Sequence, residues 1–251
     1  MDLMDSFETW VESLMDPSPG YVFHADLVLD GSGRIVGGLM YEFYPRSLSG
    51  LLSYVVVIEE YRGKGIANYL IQEGKKFLNE DAKAWTKDPN AEIRGIFLET
   101  HFPPLSHVPH DPSLFPTPPH DHEPLDVWAK RMVLFNRLGF SLLEIPYLQP
   151  PLGPDKDPSF DLILLASLPR DATTFSPSVV SEWLVELNEL VGNEGKVSVH
   201  YQRLIAQTRA LENVSVVTVP QFLDIICEKK EVRPWMRELI GWKAEYFPNG
   251  H

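Results

Sequence analysis

The sequence predicts a mixed α/β (α+β) protein that continues into a helical C-terminal part, and three observations support this class. Apolar runs of strand length, bounded by turn residues, alternate with two helical stripes over the first 168 positions. The first stripe directly follows a strand and a glycine-rich turn. From Pro169 onward the apolar residues recur at helical spacing. We therefore expect a mixed domain at 1–169 and a helical extension at 170–251.

The N-terminal elements can be assigned in order. An amphipathic helix is predicted at 6–15, and Pro17 ends it. Two strand-like runs, at 21–30 and 34–45, flank a Gly-Ser-Gly tract, which is the pattern of a hairpin. A third apolar run lies at 50–60. Its consecutive β-branched residues, Val55–Ile58, predict a central strand that is buried on both faces.

The next elements alternate between helix and strand. A helical stripe begins at Ile66, and Lys75 and Lys76 lie in its C-terminal half, as the helix dipole favours. A short strand is predicted at 93–100, and a second helix begins at 126 and ends at Gly139. Two further strands are predicted at 141–148 and 160–168.

A proline-rich insert at 101–124 separates the two halves of the predicted domain. It holds eight of the 22 prolines and five of the eight histidines, and this proline density prevents both helix and sheet ladder. Its histidines and acids offer zinc or nickel ligands, but the i, i+4 spacing of helical metal sites is absent. A solvated loop or a lid over a substrate pocket are the other interpretations.

The C-terminal extension reads as several short helices. Ser176 and Pro177 form a good N-cap and first-turn pair, and another helix opens at Pro220. The extension is rich in aromatic residues and has no heptads, so we expect it to pack on the main domain or to complete a dimer. The chain is therefore expected to be a monomer or a homodimer.

Composition limits the function classes. Of 251 residues, 44% are apolar and 23% are charged, which is typical of a globular protein, and no apolar run reaches membrane-spanning length. The net charge of −13 disfavours nucleic-acid binding and favours cationic substrates. A single cysteine, Cys227, excludes a disulfide framework and a multi-cysteine zinc site, and we expect it to be a buried thiol. The acidic N-terminus is not a targeting peptide, so we expect a cytoplasmic protein.

The stretch that carries chemistry is Arg62–Ala67, which follows a strand and opens a helix. Glycines at 63 and 65 let a ligand approach the backbone, and the free amides of a first helical turn bind phosphate oxygens. The stretch therefore predicts a pyrophosphate cradle. Neither the P-loop nor the dinucleotide fingerprint fits, because Asn68 stands where the third glycine of the fingerprint is required.

The pattern [RQ]-x-x-G-x-[GA] is matched by Arg62, Gly65 and Ala67, and with the preceding strand it resembles motif A of the GNAT superfamily of acyl-CoA-dependent N-acetyltransferases. The segment VLFNRLGF at 133–140 looks like motif B of that family. The resemblance covers residues 20–168 and implies a twisted, mostly antiparallel sheet flanked by helices. It also implies that acetyl-CoA, as acyl donor, lies in a gap beside the central strand, and that no metal is required.

The resemblance assigns roles to this segment. Backbone groups of Val55 and Val57 would pair with the pantetheine, and the N–H of Val57 would stabilise the oxyanion. The pyrophosphate would take the backbone amides of Arg62, Gly63, Lys64, Gly65, Ile66 and Ala67. An amine would then attack the thioester directly, after a base has removed its proton.

Motif B departs from the family pattern at the proton donor. Phe135 stands where many members carry the tyrosine that serves as the acid, and Trp128 and Arg131 replace an Asn and a small residue one and two turns earlier. Tyr147 and Tyr54 are candidate substitutes for that acid, and the alternative is that the thiolate leaves unprotonated.

Glu99 is the first candidate for the base, because it ends the strand that follows motif A. Glu42 and His101 are the next candidates. Residues 1–169 carry a net charge of −11 (13 minus 24) and residues 170–251 a net charge of −2 (9 minus 11), so the acidity belongs to the domain with the predicted site. This favours a small cationic amine as acceptor. The alternatives are acetylation of a protein lysine or N-terminus, and a CoA-binding regulatory module without activity.

Overall fold

The computed structural model describes residues 20–103, 123–151, 158–168, 172–190, 199–227 and 233–246, together with positions 11, 14 and 15. Positions 11, 14 and 15 of the predicted helix at 6–15 are helical, whereas its other residues, most of the insert and the Cys227 side chain lie outside this description.

Eight strands of the described chain form one mixed sheet in the order β1-β2-β3-β4-β6-β5-β8-β7. Strands β3 and β4 pair in parallel, and the other paired strands run antiparallel. The predicted class, a mostly antiparallel sheet flanked by helices, is confirmed. The strands are β1 Val22–Leu29, β2 Ile35–Tyr44, β3 Ser49–Val57, β4 Gly95–His101, β5 Phe140–Leu143, β6 Leu162–Ser167, β7 Thr174–Phe175 and β8 Val214–Val217.

Six α-helices and one 3-10 turn, Glu59–Tyr61, complete the part of the chain that the structure describes. The helices are α1 Ile66–Thr86, α2 Leu125–Arg137, α3 Pro177–Leu190, α4 Val199–Ala210, α5 Val219–Cys227 and α6 Pro234–Tyr246. In these residues, none of the helices is both long enough and apolar enough to cross a membrane.

The predicted hairpin joins β1 and β2 through a turn that Asp30 organises. Its Oδ1 accepts bonds from the Ser32 amide (2.9 Å), the Ser32 hydroxyl (2.6 Å) and the Arg34 amide (3.1 Å). Gly33 takes the left-handed conformation there, with φ of 83°. The turn therefore satisfies its own polar groups without help from the rest of the fold.

Helices cover the two faces of the sheet. Helix α1 lies on the face that carries Leu39 and Tyr41, and a Cβ added at Gly74 would come within 2.9 Å of the Leu39 side chain. A larger residue at position 74 would therefore require the Leu39 side chain to move. Helix α3 lies on the opposite face, where the Trp183 ring packs 4.4 Å from Phe97 and 6.2 Å from Tyr44.

The C-terminal extension contains the predicted helices but also two strands that sequence reasoning missed. Strand β8 pairs with β5 and with β7, so one sheet continues from the first 169 residues into the extension. The four-residue run of β8 is too short to be distinguished from a loop by periodicity alone. The division at 169/170 remains a prediction, and the sheet crosses it.

Candidate active site

The central feature of the site is the divergence of β3 from β4. The two strands pair only from Ser49↔Gly95 to Leu52↔Leu98, whereas β4 continues to pair with β6 as far as His101. Beyond Leu52, β3 pairs with β2 alone in the described chain. A gap therefore opens between the last residues of β3 and the last residues of β4.

The predicted burial of Val55–Ile58 on both faces is wrong because of this gap. The Val56 side chain is 60% exposed, and Val55, Val57 and Ile58 are only half-buried. The β-branched run does form a strand, but the strand borders an opening instead of lying between two partners.

The backbone of β3 directs particular groups into the gap. The Ile58 amide donates to Val36 O of β2 (3.1 Å). Because amides alternate in direction along a strand, those of Val55 and Val57 point away from β2. These two amides are therefore available to a molecule that lies between β3 and β4.

The loop after β3 has the conformation that its glycines allow. Gly63 and Gly65 have φ of 75° and 83°, in the left-handed region that disfavours side chains. A Cβ at either position would meet no protein atom within 4 Å, so the space beside the loop is open. A bound group can therefore come close to this backbone.

Five consecutive amides, those of residues 63–67, have no acceptor among the described residues. Two are in the first turn of α1, where the first backbone bond, from the Tyr69 amide to Gly65 O (3.0 Å), leaves the preceding amides unpaired. The Arg62 amide instead donates to Glu59 O (3.1 Å), while its Nε donates to Val57 O (3.1 Å). Unpaired amides at a helix N-terminus fit a phosphate or pyrophosphate group.

A contact missed by sequence reasoning anchors this loop to the first hairpin. The Tyr61 hydroxyl donates to Asp30 Oδ2 (2.9 Å), and the Lys64 ammonium lies 4.2 Å from the centroid of the Tyr61 ring. The bonds from Ser32 are the main cause of a lowered Asp30 pKa, and the bond to Asp30 raises the pKa of Tyr61. Thirty-one residues separate the two side chains, which is why no local pattern indicated the pair.

On the other side of the gap, Glu99 is held by two neutral donors. The Tyr147 hydroxyl donates to Glu99 Oε1, and Gln149 Nε2 donates to Glu99 Oε2 (2.9 Å). Gln149 is 8% exposed, and its backbone forms two bonds with Ser159 (3.0 Å each). The structure thus brings together the predicted Glu99 and Tyr147 and adds Gln149, which lies in a Leu-Gln-Pro sequence without a functional signal.

Tyr147 lies in an unfavourable environment for ionisation. Its side chain is fully buried and packs against Trp183, with ring centroids 6.2 Å apart. Burial first, and then the negative charge of Glu99, hold the pKa of Tyr147 well above its usual range. Its hydroxyl is therefore a permanent hydrogen-bond donor to Glu99 near neutral pH.

A second carboxylate, Glu42, lies on the same face of the sheet. It is 9% exposed, and the Ser53 hydroxyl lies 2.8 and 2.6 Å from its two oxygens. Because a hydroxyl has one proton, Ser53 donates to one of these oxygens at a time. The pKa of Tyr44 is raised by burial and then by the charges of Glu42 and Glu99, so both carboxylates act on this phenol.

The remaining candidates lie at the edges of the gap. Tyr54 is half-buried on β3 and pairs with Met40 of β2, two residues beyond the last position at which β3 meets β4. His101 ends β4, and its carbonyl accepts a bond from Trp128 Nε1 (3.0 Å).

The departures in motif B have a structural explanation. Phe135 is buried in the core, as an apolar residue there should be. Arg131 donates through Nε to Thr100 Oγ1 (3.0 Å) and forms a bidentate ion pair with Glu123, the last acidic residue of the insert. Trp128 and Arg131 thus fix the two ends of the insert to β4.

Metal ligands are not clustered in the residues that the structure describes, where no group of three His, Cys, Asp or Glu side chains is arranged to hold an ion. The hypothesis of a metal site in the insert concerns residues 104–122, outside that description.

A comparison of the sequence with models of protein families gives a match. Residues 2–101 match the model of the acetyltransferase (GNAT) family, a range that includes the loop at 62–67 and ends with β4. None of the curated proteins matches the chain.

Several solved structures are similar. Nourseothricin acetyltransferase is 14% identical, with 59% of this chain and 65% of that chain covered and a TM-score of 0.35. A GNAT-family protein from Bacteroides thetaiotaomicron is 16% identical, with 79% and 82% covered and a TM-score of 0.42. A Bacillus anthracis protein in complex with acetyl coenzyme A is 14% identical, with 65% and 68% covered and a TM-score of 0.36.

Proposed function

We propose that the protein is an acetyltransferase of the GNAT family, whose model matches residues 2–101, and that it transfers an acetyl group from acetyl-CoA to a primary amine. The observation that carries the proposal is the combination of the gap between β3 and β4 with the five unpaired amides at 63–67. These features provide an open strand edge for the pantetheine and a phosphate site at its end, as an acyl-CoA requires.

On the donor side, the amides of residues 63–67 bind the pyrophosphate, and the Lys64 ammonium adds positive charge. The amides of Val55 and Val57 face the pantetheine arm, and the Val57 amide donates to the thioester oxygen as negative charge develops on it. Arg62 contributes through its guanidinium, because its own amide is already bonded to Glu59 O.

On the acceptor side, Glu99 accepts a proton from the substrate ammonium, directly or through a water molecule. The neutral amine then attacks the thioester carbon, an N–C bond forms and the C–S bond breaks with the electron pair on sulfur. The nitrogen releases its second proton to water, which leaves a neutral amide. The two hydrogen bonds from Tyr147 and Gln149 hold the Glu99 carboxylate in one orientation.

The proton for the leaving thiolate comes from Tyr54, or the thiolate departs unprotonated. Tyr147 is the weaker candidate for this acid, because it is fully buried and its hydroxyl proton is already donated to Glu99. A thiol pKa of about 8.5 makes departure without protonation feasible near neutral pH.

The proposed acceptor is a small cationic amine. Two carboxylates, Glu42 and Glu99, lie on the acceptor face, and the first 169 residues carry most of the negative charge of the chain. A protein lysine or N-terminus is the second candidate acceptor.

The test incubates the full chain with acetyl-CoA and a panel of diamines, amino sugars, lysine peptides and peptides with a free N-terminus. Release of free thiol and the mass of the product identify the acceptor class. We expect turnover with the small cationic amines. Calorimetric binding of CoA without turnover on any amine would favour an inactive CoA-binding module, and absence of CoA binding would contradict the proposal.

A further inference from the structure

A second cleft lies at the opposite end of the sheet from the gap. Its volume is about 790 Å³, within the range of small-molecule sites. It is lined by α1, by the first residues of β4, by the end of β6 and by the start of α3, including Lys75, Arg94, Gly95, Ser167 and Ser176. Gly95 is separated from Glu99 by roughly 13 Å of strand, so the cleft is distinct from the proposed active site.

The cleft wall contains a cation that no carboxylate of the described chain neutralises. The Lys75 ammonium donates to Ser167 Oγ (2.7 Å) at the end of β6, and this hydroxyl is its sole partner in the described residues. Burial lowers the pKa of Lys75. A half-buried ammonium that is bonded to one neutral group still has donor capacity for an anion.

The neighbouring charges make this situation specific to Lys75. Arg94, the other cation of the cleft, is already paired with Glu182 of α3 (3.0 Å). Lys76, the next residue on α1, is exposed and paired with Glu73 (2.6 Å), and this pairing raises its pKa. One acidic residue, Glu212, also lines the cleft without forming an ion pair with Lys75.

The N-terminus of α3 supplies a second favourable feature. Ser176 and Pro177, where this 14-residue helix begins, line the same cleft. The positive end of the helix dipole therefore lies on the cleft wall together with the ammonium. The ammonium and the helix dipole both favour a negatively charged ligand.

We infer that this cleft is a second ligand site, which binds a small oxyanion, a carboxylate or a phosphate, on the Lys75 ammonium. The site requires both parts of the chain, because residues of α1, β4 and β6 line it together with residues of β7 and α3. The C-terminal extension would therefore contribute to ligand binding through β7 and α3, in addition to packing on the rest of the protein.

Titration calorimetry with inorganic phosphate in one arm and succinate in the other, at constant ionic strength, tests the inference. We expect saturable binding in at least one arm, a loss of about tenfold or more in affinity for Lys75→Met, and unchanged affinity for the control Lys76→Met. The arm that saturates identifies the oxyanion. Failure of both arms to saturate, or equal affinity of Lys75→Met and the natural protein, would overturn the inference.

A second measurement needs no variant and so does not depend on the folding of Lys75→Met. The natural protein is treated with acetic anhydride with and without the saturating ion, and acetylated lysines are counted by mass spectrometry. The ion should slow acetylation of Lys75 at least several-fold and leave Lys76 unchanged. Equal rates at Lys75 with and without the ion would show that the ion binds elsewhere, for example on the amides at 63–67.

Discussion

At the scale of single residues, the proposed role of Glu99 as a base depends on the groups that surround its carboxylate. A carboxylate that accepts from both Tyr147 and Gln149 is held in place, whereas a carboxylate at an exposed strand end would sample many rotamers. Glu42, bonded to Ser53, is the natural comparison because it is also a carboxylate of this face.

Glu99→Gln should lower kcat by roughly 10²- to 10⁴-fold, because an amide cannot accept the proton of the substrate ammonium. Glu42→Gln serves as the matched control and should affect KM for a cationic acceptor more than kcat. Steady-state kinetics with the best amine from the panel measures both variants. If Glu42→Gln lowers kcat more than Glu99→Gln does, Glu42 is the base and the assignment of Glu99 is wrong.

The variant Tyr147→Phe distinguishes between two roles for Tyr147, that of a residue that positions Glu99 and that of an acid that protonates the leaving thiolate. Removing a donor to the Glu99 carboxylate disfavours its charged form, so the acid limb of the pH profile of kcat/KM should move to higher pH by about one unit. Loss of an acid would instead move the basic limb. A Tyr147→Phe variant with an unchanged acid limb would show that this hydroxyl does not act through Glu99.

Gly65 offers a test of the proposed phosphate site in which the effect of backbone strain is separated from the effect of charge. Asn and Asp have nearly the same shape and both tolerate the left-handed conformation found at Gly65 (φ 83°). Gly65→Asp should bind CoA at least tenfold more weakly than Gly65→Asn, because it places a negative charge beside the pyrophosphate. Calorimetry with CoA compares the two, and equal affinities would argue against a phosphate at this loop.

At the scale of elements, the first hairpin and the loop at 62–67 form one unit through Asp30 and Tyr61. The hairpin was predictable from its Gly-Ser-Gly tract, and the loop from its glycines and the helix that follows. Their connection was not, because it joins side chains far apart in the sequence. The same holds for the divergence of β3 and β4, which is a property of strand pairing rather than of either strand.

Asp30→Asn should loosen this unit and reduce stability in a pH-dependent way. Because the pKa of Asp30 is lowered in the folded state, its contribution is present above its unfolded pKa of about 4 and is lost as pH falls below that value. The difference in Tm between the natural protein and Asp30→Asn should therefore be largest near pH 7 and shrink in acid. A difference that grows in acid would contradict this assignment.

At the scale of the whole molecule, the extension is joined to the first part by more than a shared sheet. Glu186 of α3 is 3% exposed and accepts backbone bonds from the Arg46 amide (2.7 Å) and the Ser47 amide (2.8 Å) in the turn between β2 and β3. The Tyr201 hydroxyl of α4 donates to Leu184 O (2.6 Å) and fixes α4 to α3. The extension therefore stabilises the face that carries Glu99.

Glu186→Gln should lower the free energy of unfolding by about 1–3 kcal/mol. The glutamine side chain has one oxygen and one NH2 group, so one of the two backbone amides loses its acceptor and faces a donor instead. Glu189→Gln on the same helix is the matched control, since the Glu189 side chain is 50% exposed and its pair with Arg46 is a surface ion pair. Urea unfolding of both variants measures the difference. Equal effects would mean that α3 is not anchored through Glu186.

Local sequence patterns were sufficient to predict the order of most strands and helices and the glycine-rich loop at 62–67, because each of these depends on residues within a few positions of one another. The tertiary structure decided the rest: the gap that exposes Val56, the partners of Glu99 about 50 residues away, the joining of β8 to the sheet, and the cleft around Lys75. These features arise where distant segments meet. Periodicity and motif spacing report on local conformation and burial, and they contain no information about which distant side chain completes a hydrogen bond or leaves a charge without a partner.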